Sequence, residues 1–78
     1  MTYRKKKVDK DLEIIGQTIK ELRDKREISQ EAIAADVNIH RTYWCDCENG
    51  TRNLGVKNLI KIARILNVHP SVLLKKLP

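Results

Sequence analysis

Arg41, Thr42, Tyr43, Cys45 and Asp46 put hydrogen-bonding side chains of several kinds into one short run. They belong to the stretch from Ser29 to Asn53, SQEAIAADVNIHRTYWCDCENGTRN, which reads as two short helices joined by a tight turn. Ile33, Val37, Ile39 and Trp44 recur at spacings that close a small core beneath the pair, so the polar set becomes the outward edge of the second helix. Such an edge suits the major groove of a DNA duplex, where each base pair presents its own pattern of donors and acceptors. The fork of Arg41 matches O6 and N7 of guanine, a contact worth about 1–3 kcal/mol of discrimination; the same fork could clamp a phosphate and read nothing. Thr42 offers a methyl to thymine and a hydroxyl to either partner, or else faces solvent. Tyr43 suits a phosphate oxygen or a thymine methyl, or packs half-buried. Asp46 could accept from the cytosine amino group, pair with Arg41, or present an acidic face to RNA polymerase. Gln30 and His40 open the two helices, where free N–H groups attract phosphate; Gln30 is expected to brace Arg41 as well, and His40 could be simply a cap. Trp44 is expected to face inward as core.

The elements that must carry this edge are helical. Leu12, Ile15, Ile19 and Leu22 form one apolar stripe on a first helix that starts at Asp9 or Asp11 and ends near Lys25 or Arg26. Gly16 within it costs about 1 kcal/mol relative to alanine, which a close helix crossing would explain. Ser29 caps the second helix by accepting from the backbone of Glu31 or Ala32. Asn38 suits a left-handed turn residue, and Gly50 ends a third helix running from Arg41 to Glu48 or Asn49. A fourth helix, Val56 to Leu66, carries a stripe of Val56, Leu59, Ile60, Ala63 and Leu66, with Ile62 and Ile65 beside it. Pro70 opens a fifth helix in which Val72, Leu73, Leu74 and Leu77 outnumber what its length can hide. The surplus is expected to form a dimer contact through Ile62, Ile65, Val72, Leu73 and Leu77; the other reading is an enclosed core.

The chain has 78 residues and a net charge of +6, which fits one domain with a preference for polyanions. Residues 1–10 hold Arg4, Lys5, Lys6, Lys7 and Lys10 against Asp9, a basic arm ahead of a domain at 11–78. That arm is either a solvated terminus or a segment that touches DNA. Cys45 and Cys47 are two apart on a helix and so badly placed for a disulfide. With no secretory signal, the cytoplasm is the expected compartment. Without a second cysteine pair or spaced histidines, no metal site is expected. No cofactor is expected, and no apolar run reaches the roughly 20 residues that cross a bilayer. The chain shows no paired acid and base, no nucleophile with a histidine and no phosphate-cradling glycine loop, so an enzyme is not expected.

Ser29-Gln30-Glu31-x-x-Ala34, the apolar pair Val37 and Ile39, Glu48-Asn49-Gly50, and Leu59-x-x-Ile62-Ala63-x-x-Leu66-x-Val68 together resemble the lambda-repressor-like, Xre-type helix-turn-helix family. The likeness runs in register from about Leu12 to Leu74. His40-Arg41-Thr42-Tyr43 followed by Glu48 and Thr51-Arg52-Asn53 is most similar to the controller proteins of restriction–modification systems. The resemblance implies an all-α, compact five-helix domain that dimerises through helices four and five. It implies a transcription regulator that binds palindromic operators and controls its own gene and that of the endonuclease. It also implies that Arg52 and Asn53 contact phosphates and that Arg23 and Glu48 form a structural ion pair. Against the family pattern, Asp46 replaces a residue often small or uncharged, Cys45 a frequent serine near the groove, and Cys47 an aliphatic core residue. Gly55 stands where the family usually has Ser or Thr, a swap expected to cost only a few tenths of a kcal/mol. Antitoxins, phage-type repressors and protein-interaction modules share the scaffold and are the alternatives.

Overall fold

Five helices and no strands make up the described part of the chain, residues 7–78 of a computed structural model. They are α1 (Lys10–Lys25), α2 (Gln30–Asp36), α3 (Arg41–Glu48), α4 (Val56–Ile65) and α5 (Pro70–Leu74). The first six residues, with Arg4, Lys5 and Lys6 of the expected basic arm, lie outside the described part, whereas Lys7 is exposed and Lys10 already opens α1 instead of preceding the domain.

Local chemistry sets the boundaries. Asp9 caps α1 by accepting the Leu12 N–H, and Asp11 and Glu13 sit in the first turn against the positive end of the dipole. Ser29 caps α2 by accepting the Ala32 N–H at 3.0 Å. Asn38 has φ 59°, in the left-handed region that asparagine tolerates, and turns α2 into α3. Histidines cap the next starts: Nδ1 of His40 accepts from Thr42, and Nδ1 of His69 accepts from Ser71 ahead of Pro70.

The core joins Ile19, Ile33, Ala34, Val37, Trp44, Cys47, Leu54, Ile62, Ala63, Leu66 and Leu73. Gly16 marks the closest crossing: a Cβ there would lie 2.5 Å from the carbonyl oxygens of both Cys47 and Glu48. Helix α1 therefore rests directly on the backbone of the last turn of α3.

Helix α4 sits rotated from the expected stripe. Ile62, Ala63 and Leu66 point to the core, whereas Val56 is 73% exposed. Ile62 and Leu73, expected at a dimer contact, are both 0% exposed within the single chain. They are core, because α4 and α5 fold against each other and against α2 and α1 and enclose these two side chains. Ile65, Val72 and Leu77 stay half-buried and Leu74 is 40% exposed. Gly55 also departs from expectation. Its φ of 77° with ψ 154° belongs to a region that is essentially glycine-only, so a side chain there would strain the backbone rather than cap α4.

Candidate nucleic-acid interface

Trp44, Cys47 and Glu48 are the buried side of α3. The indole of Trp44 is fully enclosed and its Nε1–H donates to Oε2 of Glu48 at 2.7 Å. Glu48 is the hub of this side. Arg23 donates Nε to Oε2 at 2.6 Å and Nη2 to Oε1 at 3.2 Å. Gln30 Nε2 donates to Oε1 at 2.9 Å, and Arg23 Nη1 reaches the carbonyl of Ile28 at 2.8 Å. Burial alone would push the Glu48 carboxyl up, but hydrogen bonds from Arg23, Gln30 and Trp44 outweigh it and hold it below the usual range. On Arg23, the hydrogen bond to Glu48 outweighs desolvation and raises the guanidinium further. One buried carboxylate thus links α1, α2 and α3 and fixes the angle between the two helices of the turn.

Two flanks of α3 are engaged by neighbours. On the α2 side, Cys45 Sγ–H donates to Oε1 of Gln30 at 3.2 Å, and Arg41 Nε lies 3.7 Å from Oε1 of Glu31. Gln30 therefore turns its amide inward onto Glu48 and Cys45 instead of bracing Arg41, and Glu31 is the carboxylate beside that arginine. On the other side, Tyr43 donates its hydroxyl to the carbonyl of Asn53 at 2.8 Å. The Arg52 guanidinium lies over the Tyr43 ring at 4.7 Å, with its Nε 4.0 Å from Oδ2 of Asp46. Oδ2 of Asp46 thus faces Arg52, and the Asp46 side chain is only 14% exposed. Asn53 Oδ1 accepts the Gly55 N–H at 3.1 Å, which fixes the turn into α4.

What remains open is a narrow edge: Arg41, Thr42 and Asn49 are exposed, with Arg52 and Asn53 exposed in the adjoining loop and His40 at the entrance. Asn49 was missed by the sequence reading. Its signal was present, since it follows Thr42 by seven positions and so shares its face. Tyr43, Cys45 and Asp46 are half-buried, flanking this edge more than forming it. The arrangement offers two guanidiniums about a polar helix face that three neighbouring segments hold rigid.

The two thiols differ. Cys47 is buried at the α1 crossing, and desolvation pushes its thiol up to about 12. Since the thiolate is the nucleophile, a maleimide at neutral pH should label Cys45 well before Cys47 in the folded protein. Peptide mass mapping checks this; equal rates at both sites would contradict the buried position. Among the described residues no group of His, Cys, Asp and Glu could hold a metal ion, and no helix is long and apolar enough to cross a membrane.

The relatives and solved structures to which the chain is similar are named control or controller proteins. The family model described as helix-turn-helix matches residues 19–73. The control protein C.BamHI of Bacillus amyloliquefaciens is 42% identical over 62 residues, covering 78% of this chain and 76% of that protein. The control protein C.MunI of Mycoplasma sp. is 43% identical over 54 residues, 68% of this chain and 73% of its own length. In three dimensions the chain is similar to the crystallised restriction–modification controller C.AhdI of Aeromonas hydrophila, with a TM-score of 0.79 and 35% identity over 83% of this chain and 98% of that one. The chain belongs to the Xre-like helix-turn-helix family of DNA-binding regulators, and within it is most like the controller proteins of restriction–modification systems.

Proposed function

We propose that this protein acts as a homodimer on an inverted-repeat operator, as a controller that regulates its own gene and a neighbouring endonuclease gene. Its relatives are named control proteins, and the observation that carries the reading is the exposed edge of α3 on a helix otherwise locked in place. In this reading α3 enters the major groove. Arg41 reads guanine and Thr42 a neighbouring base, with Tyr43, Cys45 and Asp46 shaping the flanks. Arg52, Asn53, His40 and the backbone N–H of Gln30 hold phosphates on either side. One such helix covers few base pairs, so two copies about 34 Å apart supply the specificity. Ile65, Val72 and Leu77, with the exposed Leu74, are the apolar face left for that pairing. Bound in the cytoplasm beside a promoter, the dimer would activate through contact with RNA polymerase at one site and repress when a second site fills.

Mobility-shift titration against a duplex selected by the protein from a randomised pool, beside a scrambled duplex, tests this directly. The selected duplex should contain an inverted repeat and bind far more tightly, with affinity falling steeply as salt rises. Equal affinity for both duplexes would end the proposal. Arg41→Ala should lower discrimination by about 1–3 kcal/mol, roughly 5- to 150-fold, with little change for scrambled DNA. A variant that loses affinity equally for both duplexes would make Arg41 a phosphate clamp.

A further inference from the structure

Asp46 is the one acidic side chain of α3 outside the buried hub, and a carboxylate beside a duplex should repel it. We infer that Asp46 is a positioning residue for Arg52, setting that guanidinium over Tyr43 so that it meets the DNA backbone already ordered. The inference rests on the reading above, in which Arg52 holds a phosphate.

The geometry is specific. Thr51 accepts no freedom at the end of α3, because its N–H and its hydroxyl both donate to the carbonyl of Asp46, at 3.0 and 3.1 Å. The next residue, Arg52, then lays its guanidinium over the Tyr43 ring at 4.7 Å, with Nε toward Asp46 at 4.0 Å. Tyr43 and Asp46 are three apart on α3 and so share a flank. Tyr43 is itself fixed by its hydroxyl on the Asn53 carbonyl. The carboxylate is 14% exposed while the Arg52 side chain is 52% exposed, so the pair is anchored at its acidic end and open at its basic one. Nε is the Arg52 nitrogen nearest Asp46. Among the described residues the two terminal nitrogens make no ion pair or hydrogen bond, and a phosphate is recognised by such a pair of parallel N–H groups.

A free arginine loses rotamer freedom when a ligand fixes it, and holding it in place beforehand removes that cost from binding. Simple charge counting gives the opposite sign. On that view, neutralising Asp46 removes repulsion and tightens binding to any DNA. The sign of the effect on operator binding therefore separates the two.

The test uses the full chain, the selected duplex and a scrambled duplex in mobility shifts across a salt series. Asp46→Asn should weaken binding to the selected duplex about 2- to 10-fold, the worth of one immobilised side chain, although the variant is more basic. The slope of log affinity against log salt should stay close to that of wild type, because Arg52 still meets its phosphate, whereas Arg52→Ala should lower it by about one phosphate contact. In an Arg52→Ala background the same substitution should no longer weaken binding. Operator binding as tight as wild type or tighter would overturn the inference, and so would an equal loss with and without Arg52. If Asp46→Asn fails to fold, Asp46→Ser carries the test, since serine likewise removes the carboxylate that faces Nε of Arg52. It should show the same weakening, and wild-type affinity would overturn the inference. A wild-type protein that does not prefer the selected duplex sinks the operator reading itself, which is a separate outcome.

Discussion

Glu48→Ala should strongly destabilise the fold without first changing which DNA sequence is preferred. The substitution leaves the Arg23 guanidinium 9% exposed with its main partner gone, and strips acceptors from the Trp44 indole and the Gln30 amide. Breaking a buried pair from one side costs about 3–5 kcal/mol, because the surviving charge is uncompensated. A chain of 78 residues holds only about 4–12 kcal/mol in total, so between about a quarter and all of that margin disappears. The single tryptophan is a convenient reporter, since it is fully enclosed and touches Glu48 directly. Urea titration followed by its emission should show a much lower midpoint. A variant of normal stability with altered base preference would refute the structural role.

The same residue sets a pH dependence. Glu48 is held below its ordinary value in the folded chain, so the unfolded chain binds its proton more readily. Its contribution is complete above the ordinary glutamate range near 4.3. It is lost as pH falls through that value toward the lower folded one. Wild-type stability should therefore drop steeply on acidification below about pH 4.5. Glu48→Gln should be less stable at neutral pH and flatter across that acidic window. Equal acid limbs in the two proteins would show that the carboxylate is not the group responsible.

Local rules made much of this architecture legible in the sequence. Asp9 and Ser29 cap the helices they precede, Asn38 takes positive φ, and Gly16 lies at a close crossing. Each follows from the residue and its immediate neighbours. The rotational phase of α4 was not legible, because apolar residues at 56, 59, 60, 62, 63, 65 and 66 cover most of the helix. Periodicity cannot choose a buried side from so wide a surface, and so it points Ile62 and Leu73 to a dimer contact although both are enclosed within the single chain. The flanks of α3 were illegible for another reason. Tyr43 bonds ten residues onward and Gln30 eighteen residues onward, and such pairings depend on how the helices cross. Helical spacing placed Arg41 and Thr42 outward but said nothing of what Asp46 and Cys45 would meet. At Gly55 the family likeness suggested a cap position, whereas the backbone there takes a conformation that only glycine adopts cheaply.

Gly16→Ala, the mildest substitution by volume, should be among the most damaging. On propensity alone it would gain about 1 kcal/mol for α1. The added methyl, however, would sit 2.5 Å from two carbonyl oxygens and 2.8 Å from the carbonyl carbon of Glu48. These are backbone atoms in the last turn of α3, so no side chain can rotate away and the helices must separate. Gly50 tightens the same seam, since a Cβ there would meet the backbone of Glu13 at 2.6 Å. Arg23 lies two turns beyond Gly16 on α1, and its 2.6 Å bond to Glu48 spans the same crossing. Pushing α1 outward stretches that bond as well as opening the core at Ile19 and Cys47. Overpacking usually costs about 1–3 kcal/mol, and a backbone obstacle coupled to a buried ion pair should reach the upper end of that range. For a domain of this size, about 3 kcal/mol lowers the melting temperature by roughly 12–24 °C. Gln17→Ala is the control, because Gln17 is the exposed next residue of the same helix and should change stability by no more than about 0.5 kcal/mol. If Gly16→Ala melted at or above the wild-type temperature, α1 and α3 would not approach as closely as the glycine requires, and the hub built on that approach would lose its frame.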